Sequence, residues 1–208
     1  MGGPCAETTE PFIMNKRELP PLLAEIRACT HCAERLPHPP RPVVQAGAGA
    51  RLLIVGQAPG RRVHDTGIPW NDASGDRLRD WLELPRETFY DAERIAIVPT
   101  AFCYPGKGRS GDLPPRPECA PLWHSRLLTA LPEIRLTLLV GRYAQERFLG
   151  DKCKTSLTET VAAYREYLPA YLPLPHPSPR NQSWWLRNPW FARELLPVLR
   201  SRVRAALA

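Results

Sequence analysis

Three short runs constrain this chain more than any other feature. Arg51–Val55 (RLLIV), Arg94–Pro99 (RIAIVP) and Arg135–Val140 (RLTLLV) are apolar almost throughout after their leading Arg. A strand with one wet face alternates apolar and polar residues, so a continuous run of this length marks a strand buried on both faces. Gly56, Pro99 and Gly141 punctuate their ends. Helical patterns lie between and around them, over Glu18–Ala28, Gly75–Leu84, Glu118–Leu131, Arg142–Leu149 and Leu157–Tyr167. Tyr171–Leu174 is a fourth, short candidate strand, and Ser183–Arg204 reads as mostly helical with interruptions at Pro189 and Pro197. Strands alternating with helices predict an α/β sandwich around a parallel sheet. Ligands of such folds bind beyond the carboxyl ends of the strands. Chemistry is therefore expected in GQAPG, PTAFCYPGKG, GRYA and PHPSPRN.

Composition narrows the classes. The chain has 208 residues and is 43% hydrophobic, enough for one domain spanning 1–208, with residues 1–16 read as a loose N-terminal segment. Its 25 Pro exclude a helical bundle or a long coiled coil, because interior Pro removes a helix hydrogen bond. No apolar run is long enough to cross a bilayer, so no membrane partner is expected. Met1–Glu10 carries two acidic residues and no apolar h-region, which argues against a signal peptide. A cytoplasmic location with reduced thiols is the expectation. The net charge is +7, and only four of the 28 basic residues are Lys. Arg, the better residue for phosphate forks and ring stacking, supplies the rest.

Under those conditions the six cysteines are ligands, catalysts or buried apolar side chains, not a disulfide framework. Cys29 and Cys32 form a C-x-x-C at a predicted helix end, and Cys103 and Cys119 flank a Gly/Pro loop. Four thiolates in two pairs suit tetrahedral zinc or a 4Fe–4S cluster. The wide second pair fits a zinc knuckle poorly, which favours iron–sulfur and leaves zinc as the alternative. The competing reading makes Cys103 and Cys119 small buried hydrophobes. Cys5 and Cys153 have no partner pattern.

Two loops carry the remaining chemistry. GQAPG (Gly56–Gly60) follows a strand and has Gly at both ends, which permits close backbone approach to a ligand. It runs into RRVHDTGIPWNDASGDRL, which is dense in charge. There Trp70 either stacks on a planar ring or anchors the loop, and Asp72 or Ser74 caps a helix. HPSPRN (His176–Asn181) is stiffened by two prolines. Its His176 is placed to polarise a carbonyl oxygen, and Ser178, Arg180 and Asn181 to meet phosphate or a groove.

These residues resemble the uracil-DNA glycosylase superfamily, especially its iron–sulfur families 4 and 5. GQAPG is similar to the first motif, and Gly67, Pro69 and Trp70 to the family 4 G-x-P-F. The two Cys pairs match the family 4 arrangement, HPSPRN the second motif, and Asp72–Asp76 (DASGD) a family 5 stretch holding its catalytic Asp. The resemblance implies a three-layer α/β/α sandwich with a central, mainly parallel four-stranded sheet. It implies a 4Fe–4S cluster on Cys29, Cys32, Cys103 and Cys119. The implied partner is DNA containing a damaged base, flipped into a pocket and excised by a monomer without a covalent enzyme intermediate. By this resemblance His176 donates to the base and Trp70 stacks on it. Gly56, Gln57, Ala58, Pro59, Gly60 and Thr100 contact the base. Arg61, Arg62, Ser178, Pro179, Arg180 and Asn181 meet DNA. Motif 1 departs from the family: Gln57 stands where family 4 has Glu, and Ala58 where the superfamily has an acid or amide. Gln57 can orient a water but cannot serve as a base at neutral pH, so Asp72 is the leading candidate to stabilise an oxocarbenium-like sugar or activate water, with Asp65 and Asp76 behind it. Pro99 stands where family 4 has a uracil-reading Asn, and Thr100 next to it offers a single hydroxyl in place of an amide. Hypoxanthine and xanthine join uracil as candidate bases, and an inactive damaged-DNA binder is the alternative.

Overall fold

The computed structural model describes residues 18–109 and 111–208; the expected loose segment 1–16, with Cys5, lies outside them. The strands are β1 (Leu52–Val55), β2 (Ile95–Ile97), β3 (Leu136–Val140) and β4 (Tyr171–Leu174). The helices are α1 (Leu19–Arg27), α2 (Arg61–Thr66), α3 (Ala73–Leu82), α4 (Arg86–Phe89), α5 (Cys119–Thr129), α6 (Arg142–Leu149), α7 (Leu157–Ala162), α8 (Gln182–Arg187) and α9 (Leu196–Leu207). The sheet order is β2-β1-β3-β4, and every neighbouring pair is parallel. Leu52 sits opposite both Ile95 and Leu136, and Val140 opposite Leu174.

Side-chain alternation sends Leu53, Val55, Ala96 and Leu139 to one face, where they pack with α1, α5 and α6. Leu52, Ile54, Ile97, Leu138 and Leu174 go to the other face and pack with α3, α4, α7 and α9. Both faces are covered, which is why the strands read as unbroken apolar runs. The result is the expected α/β/α sandwich.

Three features differ from the sequence reading. The short helices α2 and α4 were not anticipated; neither has a side-chain cap to announce it. The 157–167 helix is split, with α7 giving way to a 3-10 turn over Tyr164–Glu166. Pro189 falls in the break after α8, but Pro197 interrupts nothing. It occupies the first turn of α9, which continues directly from a π-helical turn over Phe191–Leu195. A π turn widens the backbone where the Pro ring would otherwise meet the preceding carbonyls.

The chain leaves β1 for β2 on one side and then crosses to β3 on the other. The crevice of a parallel sheet opens at such a switch, beyond the carboxyl ends. GQAPG follows β1, Pro99 follows β2, Gly141 follows β3, and His176 follows β4.

Candidate functional site

A cavity of about 330 Å³ occupies this end of the sheet. Its walls come from Gly56–Gly60, Pro69–Trp70, Asp72, Pro99, His176 and Ser178. The sheet topology thus brings the two motif loops and the Trp70–Asp72 turn to one place.

His176 is half-buried, and its ring lines the cavity. The Ser178 backbone N–H donates to its Nδ1 at 3.2 Å. Burial pushes its pKa down, opposed only by the negative charge of Asp72. Below its usual value the ring is neutral at pH 7. With Nδ1 accepting, its single proton resides on Nε2. The loop holds this tautomer firmly, because the Asn181 amide donates to the His176 carbonyl at 2.7 Å. Gly141 closes the other side: a Cβ there would lie 3.6 Å from the His176 Cβ.

Trp70 stands beside His176, with ring centroids 5.6 Å apart. Its ring also covers Gly56, where a Cβ would come within 2.8 Å of Trp70 Cζ2. The Trp70 backbone is left-handed, φ 54°, an uncommon state for a bulky residue. Such strain persists only where neighbours over-determine it. Here Arg79 (5% exposed) donates to the Trp70 carbonyl at 3.2 Å. Tyr90 Oη donates to the adjoining Pro69 carbonyl at 3.0 Å. Asp76 pairs with Arg79 and holds it in place.

Asp72 caps α3: its Oδ1 accepts from the Gly75 N–H at 2.9 Å. Its Oδ2 faces the cavity, 3.8 Å from the position of a Cβ on Gly60. The cap and the cavity wall are therefore one residue, one oxygen for each. Asp65 is engaged with Arg61 at 2.9 Å, and Asp76 with Arg79, so neither lines the cavity.

Several sequence candidates sit elsewhere. Thr100 is buried behind the first motif, where its hydroxyl donates to the Gln57 carbonyl; Pro99 and Ile97 form the wall instead. Gln57 lines the cavity, but its amide donates to the Leu113 carbonyl at 3.3 Å. Ala58, Pro59 and Gly60 line it too. Arg61 and Arg62 lie outside it, on the exposed start of α2. Ser178 and Arg180 reach the cavity, whereas Pro179 and Asn181 do not. Sequence reasoning missed Asp112, which lines the cavity from the loop between Cys103 and Cys119. Its only local signal was an acid within a Gly/Pro/Arg stretch that reads as a plain loop.

Cys29, Cys32, Cys103 and Cys119 converge on a separate small cavity, walled also by Pro40, Pro42, Phe102, Arg116 and Trp123. Burial raises the Cys103 thiol to about 12 and the Cys119 thiol to about 11, and the facing cysteines add to both. Trp123 Nε1 and Arg116 Nε are buried there without hydrogen-bond partners. Among the described residues no group of three or more His, Cys, Asp or Glu is arranged to hold a single metal ion.

With two motif loops and His176 placed around one cavity, the comparison with known families becomes decisive. The family model described as the uracil DNA glycosylase superfamily matches residues 44–200. The chain belongs to the uracil DNA glycosylase superfamily. The matched span runs from before β1 into α9, so it contains the whole sheet and every wall of the cavity except Val43. Membership supports a glycosylase-type function acting on DNA. No helix among the described residues is long and apolar enough to cross a membrane.

Proposed function

We propose that this protein is a monofunctional DNA glycosylase that flips out and hydrolyses uracil or another deaminated base. The observation that carries this reading is the neutral His176 with its proton on Nε2, held at a cavity beside Trp70 and Asp72. Breaking the glycosidic bond sends its electron pair into the base. A fixed N–H aimed at a base oxygen stabilises that charge as it develops, and a neutral donor avoids a buried cation. Trp70 offers a ring face for the flipped base. Asp72 Oδ2 stands ready for the positive charge that grows on the sugar.

The base is left open by the chemistry of the wall. Thr100 is turned away, and Pro99, Ile97 and Val43 present apolar surface instead of an amide. Hypoxanthine and xanthine are therefore candidates alongside uracil. A second reading, a damaged-DNA binder without chemistry, draws on Ala58 and on the engagement of Gln57 with Leu113.

We further propose that the four cysteines hold a 4Fe–4S cluster. Cluster sulfides are acceptors for the partnerless N–H groups of Trp123 and Arg116, which a zinc ion ringed by thiolates serves less well. Bound there, the group would tie the end of α1, the loop after β2 and the start of α5 together.

The deciding experiment incubates the protein with duplexes carrying uracil, hypoxanthine or xanthine and then cleaves abasic sites. Excision of at least one base is expected. Tight binding without cleavage of any would favour the binder.

A further inference from the structure

Asp112 belongs to a tight loop whose geometry is set by its own backbone. Gly108 N–H donates to the Gly111 carbonyl at 2.6 Å, and Leu113 N–H to the Gly106 carbonyl at 2.8 Å. Lys107 and Asp112 form a bridge across it. Gln57 fastens this loop to the first motif through Leu113. The Tyr104 phenol hydrogen-bonds the Asp112 carboxyl, and Arg180 and Lys107 face it with positive charge. The residue as a whole stays exposed, at the mouth of the cavity, where solvent can reach it.

Its Oδ2 points over Gly60. A Cβ built on Gly60 would lie 3.5 Å from Asp112 Oδ2 and 3.8 Å from Asp72 Oδ2. Two carboxylate oxygens, one from the cap of α3 and one from the loop before α5, thus converge over Gly60, where no side chain fills the space. In inverting glycosidases a carboxylate likewise acts as base on a water that fits between two carboxyl groups about 6.5–9.5 Å apart. The two are not equivalent. Asp72 has one oxygen committed to the Gly75 N–H as the cap of α3. Partial burial, aided by the charge of Asp72, raises the Asp112 carboxyl from its ordinary value, against the pull of Arg180, Tyr104 and Lys107. Asp112, exposed at the mouth and not tied to a helix cap, is the carboxylate placed to take a proton from water and pass it to solvent.

We propose that Asp112 is a second catalytic carboxylate of this cavity, which holds the attacking water jointly with Asp72 and takes its proton. This rests on the glycosylase reading. The C1′–N bond breaks with its electrons passing to the base, whose oxygen accepts from His176 Nε2–H. The water oxygen bonds to C1′, and its proton passes to Asp112 and then to solvent. The free Oδ2 of Asp72 stabilises the positive charge that grows on the sugar.

The test is single-turnover excision by the full-length protein on whichever base it accepts, paired with affinity for a duplex containing a tetrahydrofuran abasic analogue. Asp112→Asn should slow excision by about 100-fold, the scale of a lost general base, while the affinity stays within about threefold. Asp72→Asn combined with Asp112→Asn should slow it far less than the product of the single effects, since both act on one water. Gly60→Ala provides a variant that keeps both carboxylates. Its backbone, φ −79°, accepts Ala, and its new contacts are ordinary ones, so the melting temperature should hold while the methyl crowds the gap and slows excision about tenfold. An active wild type with an equally active Asp112→Asn overturns this assignment alone. A wild type inert on every base sinks the glycosylase reading, and this assignment with it.

Discussion

At the scale of single residues, the cavity depends on a backbone that its own side chains would not choose. Trp70 is held left-handed so that its ring lies across Gly56 and next to His176. Part of that hold is steric. Gly75, in the first turn of α3, sits under the Trp70 carbonyl, and a Cβ there would fall 1.7 Å from that oxygen. Replacing Gly75 with Ala pits two effects against each other. An Ala in a helix gains about 1 kcal/mol over Gly. Overpacking against a fixed backbone costs about 3 kcal/mol at the upper end of its range, and a clash with a carbonyl oxygen belongs there. Gly75→Ala should therefore lose about 2 kcal/mol in urea unfolding. It should also impair excision, because Trp70 must move. A Gly75→Ala variant more stable than the parent would show that helix propensity wins and that Trp70 is loosely held.

At the scale of elements, the four cysteines link parts that otherwise have little in common. Cys29 and Cys32 follow α1, Cys103 lies in the loop after β2, and Cys119 is the first residue of α5. Without a partner group, buried thiols at about 11 and 12 stay protonated and contribute only as small apolar side chains. With a cluster they would become ligands that clamp these segments, and the loop between Cys103 and Cys119 carries Asp112 to the cavity. Aerobically purified protein should therefore show broad visible absorbance and bound iron. Cys103→Ser should lose both and melt at lower temperature. Colourless protein holding one equivalent of zinc, with Cys103→Ser losing that zinc, would reassign the site. Much of this element-level picture was legible in the chain. The unbroken apolar runs gave β1, β2 and β3 because their two faces are both covered. The Cys spacing grouped the four residues that line one small cavity, and HPSPRN marked the stiff loop that carries His176. What was hidden depends on contacts distant in sequence. Thr100 faces inward because Gln57 offers it a carbonyl, and Asn181 turns to the His176 carbonyl instead of outward. Asp112 gains its meaning only when a hairpin folds it over Gly60, and nothing beside it in the sequence says so.

At the scale of the molecule, the Arg excess acquires a direction. Arg180 lies at the mouth of the cavity, and Arg61 and Arg62 begin α2 immediately behind the first motif. On the proposed reading, a duplex presenting a flipped base to the cavity would bring its phosphates past these groups. Binding of that kind releases counterions, so affinity falls with salt in proportion to the number of phosphates neutralised. The two neighbours should not contribute equally. Arg61 is already paired with Asp65 across one helical turn, an exposed contact worth little in stability but enough to offset part of its field. Arg62→Ala should accordingly reduce the slope of log affinity against log salt by about one, and Arg61→Ala by less. Removing Asp65 as well should separate pairing from position. Asp65→Asn should strengthen binding at low salt and restore to Arg61 a phosphate contact whose loss then shows in the slope. Excision rates on saturating DNA should be unchanged in all of these, since none of the three residues lines the cavity. Equal slopes for the parent and Arg62→Ala would place the DNA path on another face and leave the first turn of α2 as ordinary solvated charge.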